Sequence, residues 1–243
     1  MEYVKGKALN RRDFFKGSAA AGAALAATAA VSPRPVLAQG ATQVVDMTHT
    51  LTYDFPTYFG VQQFFDEDVF TYAENSFNLK SLRVNEHTGT HIDAPLHFTD
   101  GGTTIDEVPV ESLVAPLAIV DIREKADAAP DAQNAGWHDK LGTPGFRNAD
   151  DEGKMHFPGF HVEAVSMLIE EADVVGVAVD TLSIDYGLSA DFATHYRWLP
   201  ANRWAVENMA NLDQLPVTGA TLVVGAPKHQ GGTGGPCRLI ALV

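Results

Sequence analysis

Between His87 and His97 the chain reads HTGTHIDAPLH, three imidazoles and a carboxylate in eleven residues that also hold a glycine and a proline. A hydrophobic core avoids such density, because each buried imidazole or carboxylate needs a partner, whereas one divalent cation satisfies several lone pairs at once. His87 and His91 stand four apart and Asp93 two further on, so two neutral nitrogens and one oxygen can converge on one ion and leave coordination positions open. Thr88, Gly89 and Thr90 are poor helix formers, and Pro95 biases Ala94 towards an extended conformation. The segment therefore reads as a bent strand or loop, unlike the helical HExxH type. A polar loop with satisfied histidines would explain any one of these residues; four together point to a metal site.

The same segment resembles the HxGTHxDxPxH signature of the cyclase family, which contains bacterial kynurenine formamidases and isatin hydrolases. The likeness continues in FPG at Phe157 to Gly159, DTLSID at Asp180 to Asp185, Glu207 with Asn208, and GGPCRLIA at Gly234 to Ala241, and so spans most of the chain after residue 43. The resemblance implies a two-metal site. His87, His91 and Asp93 would hold the first ion, Asp93 would bridge, His195 and Glu207 would hold the second, and His97 would be the acid and base. Taken alone, His195 reads as an amphipathic-helix residue and Glu207 as a solvated charge. Two further candidates rest on the same resemblance. His49, between Asp46 and the Phe55, Pro56, Tyr58 segment, would lie near the pocket mouth and touch substrate, and Trp137 would stack on it. For Trp137 simple core packing is the competing reading. In relatives a Gly-Trp pair like Gly136 and Trp137 follows a helix and a hydrophobic strand, for which Asp127 to Ala135 has no room.

A divalent ion with open positions lowers the pKa of bound water from about 15.7 to about 7 and supplies a nucleophile for a carbonyl carbon. With His97 passing a proton towards the leaving nitrogen, the expected reaction is hydrolysis of a small-molecule amide, aryl formamides resembling N-formylkynurenine first and isatin-like lactams second. Zinc and manganese both accept nitrogen and oxygen ligands, and the set contains no thiolate to choose between them. No GxSxG elbow is present, and Cys237, the single cysteine, lies in a terminal strand pattern without an assigned base, so covalent catalysis is not indicated. An exported metal-binding or solute-binding module without turnover is the alternative of another class, and His97 argues against it.

Lys5, Lys7, Arg11, Arg12 and Lys16 precede an Ala-rich stretch from Ser18 to Val31 and then Val36, Leu37 and Ala38. This predicts a cleaved export signal over residues 1–38, of the twin-arginine type from Arg11 to Lys16, and a periplasmic destination. An uncleaved membrane helix is disfavoured, since the segment is short and weakly apolar, and no stable membrane span is expected after cleavage. Cleavage would remove six of the 17 Lys and Arg and two of the 31 Asp and Glu, leaving 11 against 29, a formal charge of −18. Such acidity, without a basic patch interleaved with aromatics, excludes nucleic acid as an expected partner. A homo-oligomer is implied by the resemblance alone.

Residues 39–243 fit one domain with a sizeable core and show no internal repeat. Short runs rich in Val, Ile and Leu predict strands over 79–85, 117–122, 174–179, 222–224 and 238–243. Val162, Val165, Leu168, Ile169 and Ala172 fall at helical spacing, and Ser189 to Trp198 predicts a second helix. Mixed strands and helices argue for an α/β or α+β domain; the β/β/α arrangement comes from the resemblance. Lys125 to Lys154 reads as a mobile loop, and Lys228 with Gly231 to Gly235 as a flexible turn, because the GxxxxGK[ST] order of a phosphate loop is absent. His138, His156, His161 and His229 are isolated and read as surface or packing residues.

Overall fold

The computed structural model describes residues 41–124 and 136–243. The expected export signal over residues 1–38 and the stretch Asp127 to Ala135 lie outside the described residues.

Among the described residues, ten strands form three sheets. Val44–Asp46 (β1), Val114–Ala118 (β5), Thr218–Gly225 (β8) and Arg238–Leu242 (β10) make an antiparallel sheet in the order β1-β10-β8-β5. His91–Asp93 (β4), Gly176–Ala178 (β6), Trp204–Glu207 (β7) and Gly234–Pro236 (β9) make a second, in the order β6-β7-β4-β9, parallel only between β6 and β7. Phe64–Phe70 (β2) and Leu79–Val84 (β3) pair as a separate hairpin joined by the short helix Tyr72–Asn75 (α1).

Period-two alternation sorts side chains between layers. Val45 of β1, Leu222 and Val224 of β8, and Leu239 and Ala241 of β10 meet Ile92 of β4 and Trp204 and Val206 of β7 in one core, so the two four-stranded sheets pack face to face. Ala205 of β7 and Val177 of β6 instead join Val165 of helix Val162–Glu171 (α2) and Trp198 of helix Ala193–Trp198 (α3). The layers therefore run sheet, sheet, helices, which is the β/β/α arrangement expected. Among the described residues no helix is long and apolar enough to cross a membrane.

Several expectations need correction. The strand expected over 117–122 lies at Val114–Ala118 and carries Pro116 inside it. Proline donates no ladder hydrogen bond, and β5 tolerates it because it is an edge strand. The helix expected from Ser189 begins only at Ala193, where the Asp185 carboxylate accepts the Thr194 and His195 amides and caps it from a distance. Gly234 to Pro236 is a strand beside β4, not part of a flexible turn. Residues 136–154 are no open loop: two 3₁₀ turns, Trp137–Lys140 and Pro144–Phe146, bury Trp137 and Phe146 completely.

Candidate active site

β4 is three residues long and buried throughout. Because Ile92 faces the sheet-to-sheet core, alternation sends His91 and Asp93 to the helix side of the second sheet. The register pairs His91 with Glu207 across the antiparallel β4–β7 ladder, so the two side chains stand directly opposite each other. The HTGTH bend feeds β4 through Gly89, whose φ of +71° belongs to the left-handed region that glycine adopts freely. Its carbonyl accepts the Asn208 side-chain amide at 2.9 Å, which ties the bend to the end of β7. Helix α3 then brings His195 over the same face.

The result is a buried, charge-dense centre. Asp93 is 0% exposed, His91 2%, His195 3% and Glu207 6%. His91 Nε2 lies 3.4 Å from both Asp93 Oδ1 and Glu207 Oε2. His195 Nε2 lies 3.3 Å from Glu207 Oε1 and 3.7 Å from Asp93 Oδ2. His87 Nδ1 reaches Asp93 Oδ1 at 2.7 Å. His97 stacks on His87 with ring centroids 3.7 Å apart and lies edge-on to His195 at 5.8 Å. All six residues that the motif and the resemblance nominated are thus together. Both Asp93 and Glu207, not Asp93 alone, stand between imidazoles.

Partners behind the ligands fix their orientation. His91 Nδ1 lies 2.9 Å from the Gly89 carbonyl, which can only accept, so Nδ1 carries a hydrogen and Nε2 is the nitrogen turned to the carboxylates, where an ion would bind it. Asp185 does the same for His195, receiving Nδ1–H at 2.6 Å. The Ile184 amide donates to Glu207 Oε1 at 2.9 Å. Sequence reasoning gave Asp185 no role; its place at the end of DTLSID was the available signal.

These residues fit a divalent cation. His91 Nε2 and Asp93 Oδ2 are buried without a hydrogen-bond partner, a costly arrangement unless something else binds them. Ligand atoms of His91, Asp93 and Glu207 lie within 4.8 Å of one another, as do those of His87, Asp93 and His97. Electrostatics agree. Burial opposes a charge on His91, yet the Asp93 and Glu207 carboxylates beside it push its imidazole up to about 10. Burial likewise opposes, and Asp185, Asp93 and Glu207 overcome, the opposition for His195, which is raised well above the ordinary histidine value. The two carboxylates call for positive charge between them. His97 behaves oppositely: burial pushes it down to about 4 against the attraction of Asp93, so its ring is neutral at neutral pH.

A cavity of about 310 Å³ opens on the centre, at the small end of ligand sites. Its walls are aromatic, with Tyr58 and Phe59 on one segment and Phe98 and Phe192 on others, and His87, His91, His97, His195 and Glu207 also line it. Neither Trp137 nor His49 lines it, and both pack in the neighbouring aromatic core. The Trp137 ring belongs to a core with Phe55, Phe146 and Phe157, and its indole N–H donates to the Phe146 carbonyl at 2.6 Å. His49 packs against Phe55 and Phe146, and burial pushes its pKa down to about 4. Trp137→Ala should therefore cost about 3–5 kcal/mol of stability, read by chemical denaturation, with KM of the folded fraction unchanged.

Fold and centre together define a metal-dependent hydrolase. The family model described as "Putative cyclase" matches residues 45–186. An isatin hydrolase of Roseibium aggregatum is 30% identical over 66% of this chain and 73% of its own length. A kynurenine formamidase of Salinibacter ruber is 30% identical over 69% of this chain and 81% of its own. The solved isatin hydrolase A from Labrenzia aggregata, bound to benzyl benzoate, superposes with a TM-score of 0.75 at 31% identity, covering 84% of this chain and 95% of that one. The chain belongs to the cyclase family and is a metal-dependent amide hydrolase.

Proposed function

We propose that the protein hydrolyses an aryl formamide of the N-formylkynurenine kind, using His87, His91, Asp93, His195 and Glu207 as metal ligands and His97 as the proton carrier. The observation that carries this reading is the buried centre beneath an aromatic-walled cleft. When bound, zinc or manganese would supply Lewis acidity, polarising a carbonyl and acidifying water at neutral pH. Asp93 and Glu207 hold the positive charge in place, while the Gly89 carbonyl and Asp185 keep His91 and His195 in the tautomer that offers Nε2. His97, neutral and held by stacking on His87, has a free imidazole lone pair to take a proton and return it to the departing nitrogen. Tyr58, Phe98 and Phe192 exclude water from the bound ring and orient it edge or face on. Cys237 is no competing nucleophile, since its thiol is buried and pushed up to about 12 by that burial.

An isatin-like lactam is the second reading, favoured by the likeness to isatin hydrolase A along 95% of that chain. Export to the periplasm is supported by the basic and Ala-rich leader over residues 1–38. A homo-oligomer is supported by the apolar side chains exposed on the β2–β3 hairpin, among them Phe70, Phe77, Leu79 and Leu82.

The test is elemental analysis of the purified protein with hydrolysis assays on an aryl formamide and on isatin, before and after chelation. Bound metal with chelator-sensitive formamide cleavage supports the first reading. Preference for isatin moves the assignment to lactams, and metal without turnover leaves only a binding module.

A further inference from the structure

His91 and His195 face the centre through Nε2, but His87 faces it through the other nitrogen. Its Nδ1 points at Asp93 Oδ1, and its Nε2 lies 2.9 Å from the hydroxyl of Thr233. That hydroxyl has a single proton, and the Glu86 carboxylate claims it at 2.5 Å. Glu86 is fixed in turn, receiving the Thr233 amide at 3.2 Å on each oxygen and lying 2.6 Å from His229 Nε2. An ionised carboxylate accepts only, so the Thr233 hydroxyl must donate to Glu86 and can offer His87 nothing but a lone pair. His87 Nε2 must then carry a hydrogen.

From this chain of donors we infer that Glu86 and Thr233 are positioning residues which lock His87 in the Nε2–H tautomer, so that Nδ1 is its metal-binding atom. The Gly-rich run acquires a purpose. A Cβ at Gly232 would lie 2.2 Å from His229 Nε2 and 2.6 Å from Glu86 Oε1, so this backbone must be bare for the Glu86–His229 pair to close over it and hold Thr233 against His87. A neutral His87 with its hydrogen on Nε2 presents the Nδ1 lone pair to Asp93 Oδ1 at 2.7 Å, and a cation bound by both atoms would resolve that contact. The inference rests on His87 being a ligand, and it adds which atom binds and what decides it.

The experiment uses the zinc-loaded full chain labelled with ¹⁵N-histidine. Long-range ¹H–¹⁵N correlation reads the tautomer, with His87 assigned by the signals lost in His87→Gln, and zinc affinity is measured by chelator competition. Wild type should show a protonated Nε2 and a zinc-shifted Nδ1 at His87. Thr233→Val should lose the single tautomer and bind zinc about 10–100-fold more weakly, whereas Thr233→Ser should keep both. A protonated Nδ1 in wild type, or wild-type tautomer and affinity in Thr233→Val, overturns the inference while leaving the metal site intact. His87 signals indifferent to zinc overturn the ligand reading itself. Neither result depends on which amide is the substrate.

Discussion

Asp93→Ala protein should lose its metal and its turnover together, with zinc or manganese affinity reduced at least about 100-fold, beyond the 10–100-fold typical of losing an outer partner. The reason is that Asp93 touches the whole centre: its Oδ1 approaches His87 and His91, and its Oδ2 approaches His195 and has no hydrogen bond of its own. Stability should fall too. Removing one member of a buried ionic group leaves the others uncompensated, at about 3–5 kcal/mol. The three imidazoles hold the Asp93 carboxyl well below the usual carboxylate range despite its burial, so it is the charged form that the fold requires. Asp93→Asn keeps the shape and removes the charge. If that variant retained wild-type metal by elemental analysis, charge would not be what binds the ion.

His97→Ala should show the opposite separation: metal content unchanged and kcat lowered about 10²–10⁴-fold, the usual worth of a positioned acid or base. His97 lines the cleft and stacks on His87, but His91, Asp93, Glu207 and His195 form the buried centre without it. Because burial pushes its pKa down to about 4, the proton-accepting form is fully present at neutral pH and would be lost only as pH falls through that value. Steady-state kinetics at saturating substrate are the measurement. A parallel fall in metal content would make His97 a ligand instead, which its closeness to His87 and Asp93 permits geometrically.

Much of the site was legible because it is local. Three donors and a proton carrier lie within eleven residues, and the chemistry that joins them needs no knowledge of the fold. His195 and Glu207 were different. Each belongs to another element far along the chain, and only the family resemblance nominated them. Of the aromatic wall, only the Tyr58 segment is placed near the pocket mouth by resemblance, because Phe98 and Phe192 carry no mark of function when read singly. Trp137 shows the converse: a tryptophan near a suspected pocket invites a stacking role, yet its indole is spent on a backbone carbonyl in the core.

The sequence by itself determined the donor types, the acidic balance, the single cysteine and the side to which alternate residues of a short strand must point, since all of these are composition or local periodicity. Tertiary structure decided the rest. The β4–β7 register sets His91 opposite Glu207, Asp185 turns His195 so that its Nε2 faces the centre, and Thr233, near the far end of the chain, reaches His87. Register and layer packing are fixed by long-range burial of Ile92, Val206 and their neighbours, and no local pattern encodes which distant strand will supply the partner.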